Sequence, residues 1–225
     1  MSFTYKIVYS RRKSVAIVVN RDKSVTVRAP YFTSEKRIKK LITDKAEWIE
    51  KHIANQSARV HTSPNEGYKN GTQLFYQGKS YILSIVPSIN NNVQIINDRI
   101  EVLSKSLSEE KVKLLLERWY KKQATEIFAA RMDELVVLNG SLGFKPTALS
   151  VRTMKSRWGS CGRSGRITLN IELIKLDPKY TDYVILHELC HLKEMNHGKG
   201  FYELLEKVCP HYPTYRRELR KYRLW

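Results

Sequence analysis

The sequence has few cysteines, and their spacing matches no common framework. The three cysteines, Cys161, Cys190 and Cys209, are odd in number, widely separated and form no Cys-x-x-Cys pair. We therefore expect neither a disulfide-based fold nor a zinc site built from paired cysteines. The N-terminus lacks the apolar core of a secretory signal, and no run approaches the roughly 20 apolar residues that cross a bilayer. These absences predict a cytoplasmic protein without a membrane span.

Acidic residues are also scarce relative to basic ones. The 225 residues include 40 Lys and Arg against 22 Asp and Glu, which gives a formal net charge of +18. Such an excess attracts nucleotides, nucleic acids and acidic peptides, and simple solubility is the alternative reason for it. The charge is spread along the chain and therefore indicates no particular groove. The sequence lacks a Gly-rich phosphate loop and an Asp/Glu cluster for magnesium, which argues against a nucleotide hydrolase.

The hydrophobic pattern predicts an α+β fold whose first part is rich in strands. Short alternating apolar runs bounded by turn residues predict strands before and after a single helix, which Thr33 is expected to cap. Polar residues between 56 and 71 predict a surface loop. Asn97-Asp98 is predicted to be the turn of a hairpin. We therefore expect a strand-rich N-terminal subdomain with one helix over residues 1–105.

The second part, residues 106–225, is predicted to begin with a long helix. Ser106 and Glu109 have the spacing of a capping box, and an apolar face follows over residues 108–138. After this helix the pattern predicts two strands and then short helices. The predicted strands are residues 148–153 and 166–171.

The most specific functional signal is a His-Glu-x-x-His motif inside an apolar run. His187, Glu188 and His191 follow a candidate helix start at Asp177. On a helix the two histidines lie about 6 Å apart along one face, so both imidazoles can reach one metal ion. Glu188 can orient a water molecule on that metal and accept its proton. The alternative is an amphipathic core helix whose histidines are merely hydrogen-bonded.

His197 can supply a third ligand if the helix ends before it. On an unbroken helix it would lie a further ~9 Å along the axis and point away from the motif. Its neighbours Asn196 and Gly198 tolerate left-handed backbone and stop helices, so we expect the chain to reverse here. Glu194, almost two turns after the first histidine, and Glu203, on the next predicted helix, are alternative ligands.

A catalytic metal site differs from a structural one because one coordination position of the ion is not occupied by a protein ligand. A closed site needs a fourth protein ligand, for which Cys190 is the candidate. Three histidines alone leave one position for water. We therefore expect one catalytic Zn²⁺ per chain, bound by His187, His191 and His197.

The loop of residues 155–162, Lys-Ser-Arg-Trp-Gly-Ser-Cys-Gly, combines basic, aromatic and small residues. It can line a pocket, or it can be a hairpin loop whose Trp158 fills the core. The candidate substrate-binding residues are Arg157, Trp158, His211 and Tyr212. The candidate donors to a reacting carbonyl oxygen are Arg157, His211, Tyr212 and Tyr215.

Several short motifs occur together in this chain. They are Arg157-Trp-Gly-Ser-Cys161, Ile167-x-Leu-Asn170, the segment 182–192, Asn196-His-Gly198 and Phe201, with Val27-Arg-Ala-Pro30, Trp48-Ile49 and Gly78-x-x-Tyr81 in the N-terminal half. In combination they resemble the YgjP-like metal-dependent hydrolases, which are related to zincin metallopeptidases and to SprT-like proteins. One departure is Tyr202, where that family has Trp, and it bears on the packing behind the site.

The resemblance implies a zincin-like catalytic subdomain and a zinc-dependent metallopeptidase. Glu188 matches the family's catalytic glutamate, and the expected partner is a peptide or an unfolded protein. In zincin-type sites the substrate lies along an edge strand, for which 148–153 and 166–171 are candidates. Two alternatives remain open: a metal-dependent nucleoside triphosphate pyrophosphatase, and a nucleic-acid-associated protein with a structural zinc.

Overall fold

The computed structural model describes residues 3–20, 24–57 and 67–222. The chain forms two compact units, Met1–Arg59 and Val60–Trp225. Both units mix strands with helices, and the α+β class expected from the sequence is confirmed. Within the described ranges, no helix is long and apolar enough to cross a membrane.

The first unit is a three-stranded sheet with two helices. β3 lies at the centre of the sheet, parallel to β1 and antiparallel to β2. Buried residues of β3 and of both helices form one core. The elements are β1 (Tyr5–Ser10), β2 (Ala16–Val19), β3 (Val25–Pro30), α1 (Glu35–Asp44) and α2 (Ala46–Ser57).

The single helix expected in this unit is instead two helices. The first is capped by Ser34, whose side chain accepts a hydrogen bond from the Arg37 backbone, and Thr33 lies one residue outside. The helix ends at Lys45, whose N–H bonds back to carbonyls of the preceding turn. The apolar spacing continues across this break, which explains why the sequence pattern predicts one helix. The predicted loop at 56–71 lies mostly outside the described residues.

The second unit begins with a four-stranded sheet in the order β4-β5-β7-β6. β5 and β7 are parallel, and the two outer pairs are antiparallel. The hairpin predicted at Asn97-Asp98 joins β6 to β7, with Asn97 in left-handed backbone at φ 54°. The strands are β4 (Gln73–Tyr76), β5 (Lys79–Pro87), β6 (Asn92–Ile96) and β7 (Arg99–Ser104).

The long helix α3 (Glu109–Leu138) follows this sheet and buries one residue about every turn. Ser108 occupies the N-cap, and the capping box predicted with Ser106 is not formed. Glu109 instead accepts a hydrogen bond from the Tyr68 backbone, 3.2 Å away. The buried face consists of Val112, Leu116, Tyr120, Ala124, Phe128, Met132 and Leu135.

The two compact units meet in the sequence at residues 59 and 60, whereas the sequence predicts a boundary at 105 and 106. The physical reason is a shared core. Ile100 and Val102 of β7 belong to the same buried cluster as Val112 and Leu116 of α3. Strand content alone groups β4–β7 with the earlier strands, but side-chain packing joins them to the helix.

A second sheet and three helices complete this unit. The sheet order is β8-β10-β9, with β8 parallel and β9 antiparallel to β10. The loop between the two predicted strands is therefore not a hairpin loop, because it contains a strand of its own. The elements are β8 (Ala148–Arg152), β9 (Gly159–Cys161), β10 (Arg166–Asn170), α4 (Pro178–Cys190), α5 (Lys199–Val208) and α6 (Tyr212–Leu219), with short 3-10 helices at Gly140–Leu142 and Ile171–Lys175.

A buried ion pair lies in the 3-10 helix that leads into α4. Lys175 Nζ is 2.9 Å from both carboxylate oxygens of Glu172, and the two side chains are 7% and 4% exposed. The ammonium also lies 5.2 Å from the centre of the Tyr120 ring on α3. Because both charges are desolvated, each depends on the other for compensation.

We expect Lys175→Met to destabilise the protein by about 3–5 kcal/mol, because it leaves Glu172 buried without its cation. The matched control is Lys199→Met, which removes an exposed Lys–Glu pair whose side chains are 91% and 64% exposed. That change should cost less than about 1 kcal/mol. Urea unfolding of both variants measures the difference, and equal losses would contradict the assigned role of the buried pair.

Candidate metal centre

Helix α4 presents His187 and Glu188 from its last turn. The helix begins as the sequence predicts, with Asp177 accepting a hydrogen bond from the Lys179 backbone and Pro178 in the first turn. It ends at Cys190, so that His191 is its C-cap, with φ −65° and ψ −16°. His191 therefore keeps the helical direction even though the helix stops there.

The chain then folds back through a tight segment, and His197 returns to the other two histidines. The backbone N–H groups of Lys193 and Glu194 both bond to the Cys190 carbonyl, which closes the last turn. The expected end of the helix before His197 is thus present. The expected left-handed turn is not: Gly198 has φ −84° and ψ −170°, and Asn196 is not among the described residues with positive φ. The reversal is made by several ordinary turns instead.

The three imidazoles converge on one point. A ligand atom from each of His187, His191 and His197 lies within 4.8 Å of the other two. The ring centroids form a nearly equilateral triangle with sides of 5.0, 5.1 and 4.7 Å. Nε2 of His187 and Nε2 of His197 are 3.1 Å apart. Among the described residues this is the one group of His, Cys, Asp or Glu close enough to hold a metal ion.

Phe201 supports all three imidazoles from one side. Its ring centroid is 4.9 Å from His187, 4.6 Å from His191 and 4.7 Å from His197, and the side chain is fully buried. Because α5 carries Phe201, the helix that follows the turn fixes the histidines that precede it. Packing against one rigid ring restricts the imidazoles to a small range of orientations.

Hydrogen bonding and burial bear on which ring nitrogens can bind a metal. Nδ1 of His191 lies 3.0 Å from the Glu194 carbonyl, an acceptor, so Nδ1 carries a proton and the neutral tautomer has its lone pair on Nε2. Burial, followed by the neighbouring histidines and Arg216, lowers the pKa of His187 to about 3. The pKa of His197 is lowered too, first by burial. Neutral imidazoles are the form that binds metal.

These distances match those required for a shared divalent ion. At Zn–N bonds of about 2.0–2.1 Å, two nitrogens on a tetrahedral ion lie roughly 3.3 Å apart, close to the observed 3.1 Å. Nδ1 of His187 is buried without a hydrogen-bond partner among the described residues. Nε2 is therefore the nitrogen through which this ring makes its polar contacts. The residues present therefore fit a metal with nitrogen ligands.

Glu188 lies beside the histidines, held between α4 and β9. Its side chain is 5% exposed. A Cβ atom on Gly159 would lie only 2.6 Å from Glu188 Oε1, so glycine at the start of β9 makes room for the carboxylate. Burial raises the pKa of Glu188 to about 8, while Arg157 and a backbone hydrogen bond from Cys161 act in the opposite direction.

A cavity of about 480 Å³ opens over the histidines and Glu188. Arg157 and Trp158, two of the four candidate substrate-binding residues, lie on its wall. Asn170 holds this part of the loop, because its side chain donates to the carbonyls of Met154 and Arg157 at 2.8 and 3.0 Å. The loop between β8 and β10 therefore lines a pocket.

The other two candidates, His211 and Tyr212, do not line this cavity. Tyr212 stacks on Tyr202 with ring centroids 5.9 Å apart, and His211 is the N-cap residue of α6. Tyr215, proposed from the sequence as a donor to the carbonyl oxygen, also lies off the cavity wall and packs against Tyr180 and Tyr183.

Sequence reasoning missed several residues of the cavity wall. The spacing contained a signal for three of them: Tyr183 is four residues before His187, and Arg216 and Arg220 are four apart on α6, so each pair shares a helix face. No signal was available for which face of α6 meets the cavity. The further lining residues are Ser160, Cys161, Val184, Met195 and Leu219.

The alternative ligands lie outside the cluster. Glu203 is exposed and pairs with Lys199 at 3.6 Å. Glu194 approaches the backbone of Gly200. Cys190 is fully buried, and burial raises the pKa of its thiol to about 12. None of the three lies in the group formed by the histidines.

Comparisons with known proteins place this chain beside metallopeptidases. A family model described as YgjP-like, metallopeptidase domain, matches residues 13–222. The crystal structure of the metallopeptidase zymogen of Pyrococcus abyssi, abylysin, is 20% identical, with a TM-score of 0.38 over 44% of this chain and 99% of that one. The zymogen of Methanocaldococcus jannaschii jannalysin is 20% identical, with a TM-score of 0.36 over 41% and 92%. No curated protein matches the chain.

The convergence of the histidines predicts which substitutions release metal. We expect His197→Ala to weaken metal binding by more than about 100-fold, because loss of a direct ligand should exceed the usual effect of outer-shell changes. Glu203→Gln and Cys190→Ser should retain the metal. Elemental analysis after dialysis against a chelator gives the stoichiometry of each variant. If either control lost metal while His197→Ala retained it, the third ligand would have to be reassigned to the residue changed in that control.

Proposed function

The chain belongs to the YgjP-like metallopeptidase family, and we propose from this premise that it hydrolyses peptide bonds with zinc and a glutamate base. In this proposal His187, His191 and His197 hold one Zn²⁺ and Glu188 moves the proton. The observation that carries the proposal is the shared cavity, which is lined by all three convergent imidazoles and by the buried Glu188 carboxylate.

The ligand set favours zinc. Three neutral imidazoles suit zinc well, and the described cluster contains no fourth protein ligand, which leaves a position open. When bound, the ion would polarise the peptide carbonyl and lower the pKa of water. A structural zinc would instead require a fourth ligand such as Cys190, which lies outside the cluster.

Glu188 has the environment that a general base needs. Among the described residues it is the only acidic one on the cavity wall, and burial raises its pKa to about 8 in the metal-free fold. We assign it two proton transfers. It takes a proton from the water that attacks the carbonyl carbon, and it gives that proton to the amide nitrogen as the C–N bond breaks. Both transfers use the same carboxylate, so Glu188 ends each cycle unchanged.

Strand β9 is the edge along which we place the substrate backbone. The predicted strand at 166–171 cannot serve, because β10 is paired on both sides by β8 and β9. β8 and β9 are the two edges, and β9 is the one whose three residues line the cavity. An extended peptide can add to its unpaired side and bring a carbonyl next to Glu188.

The substitution Glu188→Gln should abolish hydrolysis while retaining metal. An amide keeps the size of the side chain but cannot accept the proton, so we expect a loss of at least about 10³ in kcat on an unfolded protein substrate. Turnover and metal content are measured on the same zinc-loaded samples. Retained turnover would remove Glu188 from the mechanism. Nucleoside triphosphates are tested in parallel, because their hydrolysis in place of protein cleavage would favour a pyrophosphatase.

A second substitution tests the position of the carboxylate. Gly159→Ala places a methyl group 2.6 Å from Glu188 Oε1 and 2.8 Å from Val184 Cγ1, so Glu188 must move. We expect kcat to fall by at least about tenfold with metal content unchanged, because small displacements of a catalytic group have large effects on rate.

The matched control is Gly140→Ala, where the added Cβ meets nothing within 4 Å. It should leave kcat and metal content at the wild-type values. Full activity in Gly159→Ala would show that the carboxylate need not occupy the observed position.

A further inference from the structure

Three arginines line the same cavity as the metal-binding histidines. Arg157 lies just before β9, whereas Arg216 lies on α6 and Arg220, one turn later, is the C-cap residue of that helix. The cavity wall thus receives guanidinium groups from two separate parts of the chain. Among the described residues, Glu188 is the only one that brings a carboxylate to this wall.

Within the described ranges, none of these arginines forms an ion pair with an acidic side chain. Arg131, by contrast, lies 2.6 Å from both Glu134 and Asp182. The pocket arginines are all exposed, which leaves their donors open to a ligand.

Arg216 is held by contacts that leave its charge uncompensated. Its Nη1 donates to the Tyr202 hydroxyl at 3.3 Å, and its guanidinium lies 6.0 Å from the centre of the same ring. A hydroxyl and an aromatic face orient a guanidinium without neutralising it. Arg216 lies on the wall of the same cavity as His187 and His197.

Three like charges in one concave site repel each other, and an anion relieves that repulsion. Guanidinium groups bind carboxylates through paired, charge-assisted hydrogen bonds. We propose that this site selects peptides with a carboxylate close to the scissile bond, bound by Arg157, Arg216 and Arg220. The inference rests on the proposed peptidase function and adds its substrate class. Peptides with Lys or Arg at the same position should be disfavoured by repulsion.

The recognised carboxylate must lie near the bond that is cut. The arginines and Glu188 share a cavity of about 480 Å³, and an extended chain advances about 3.3 Å per residue. The carboxylate therefore lies within about two residues of the scissile bond. It can belong to an Asp or Glu side chain or to the C-terminus of the peptide, and the two sources are distinguishable by experiment.

The experiment uses the zinc-loaded full chain and quenched fluorescent peptides that differ at one position. Peptides with Glu, Gln or Lys on each side of the cleaved bond are compared, each with a free and with an amidated C-terminus. We expect kcat/KM to be at least tenfold higher for Glu than for Gln, and lowest for Lys. If Glu and Gln peptides are cleaved equally and amidation lowers kcat/KM by at least tenfold, the C-terminal carboxylate is the recognised group.

The substitution Arg220→Glu reverses one of the three charges, and within the described part of the chain the Arg220 side chain has no hydrogen bond or ion pair to lose. It should lower kcat/KM for the Glu peptide by at least tenfold and raise it for the Lys peptide. The matched control is Arg217→Glu, an exposed arginine on the same helix that does not line the cavity. It has the same change in net charge and should leave the preference unaltered.

The outcomes separate this inference from the proposed function. If peptides are cleaved in a Glu188-dependent manner with equal kcat/KM for Glu and Gln, and amidation of the C-terminus changes nothing, selectivity for carboxylates is wrong and the peptidase stands. If no peptide is cleaved, the peptidase proposal fails, and binding to zinc-loaded Glu188→Gln decides the recognition. In fluorescence anisotropy, equal Kd for the Glu and Gln peptides with no change on amidation, or binding of nucleoside triphosphates alone, would overturn the inference.

Discussion

The structure depends most on bringing three imidazoles to one point from a single short stretch of chain. A helix can supply two of them, because residues four apart share a face. A residue six positions later on the same helix would point away from that face. The chain must therefore leave the helix immediately after the second histidine. His191 occupies this boundary, since it is the C-cap of α4, and its Nδ1 is fixed by the Glu194 carbonyl of the turn itself. The turn thus both ends the helix and orients one of the three imidazoles.

Elements far away in the sequence hold this arrangement in place. Arg131 on α3 contacts both carboxylate oxygens of Asp182, at 2.6 and 2.9 Å, and so ties the long helix to α4 one turn before the first histidine. On the opposite side, Asn170 fixes the loop that contains Arg157. Phe201 packs beneath all three imidazoles. The site is therefore a product of the whole second unit, because each of its walls comes from a different element.

Local patterns in the sequence predicted most helices and strands. Tertiary packing determined how these elements are placed against one another, which the local patterns did not predict. The helix start at Asp177 and the hairpin turn at Asn97 have chemical signatures within a few residues, and both are present. The placement of β4–β7 against α3 has no such signature, since it depends on burying residues such as Ile100 and Leu116 in one core. Prediction of the cavity arginines from the sequence is limited in the same way. The spacing of Arg216 and Arg220 is visible in the sequence, but the surface that they face is not.

The overall charge of +18 says little about function, whereas the distribution of charge inside the cavity says much more. Burial raises the pKa of Glu188 from 4.5 to about 8 in the metal-free fold, so the ionised carboxylate is disfavoured there. As the pH rises from about 4.5 to 8, the Glu188 carboxyl loses its proton in the unfolded chain but keeps it in the folded one. The free energy of unfolding therefore falls over that range. Arg157 and the backbone N–H of Cys161 oppose this cost. A neutral side chain of the same size would be more stable at neutral pH, and the proposed role of Glu188 as a base accounts for a carboxylate at this position.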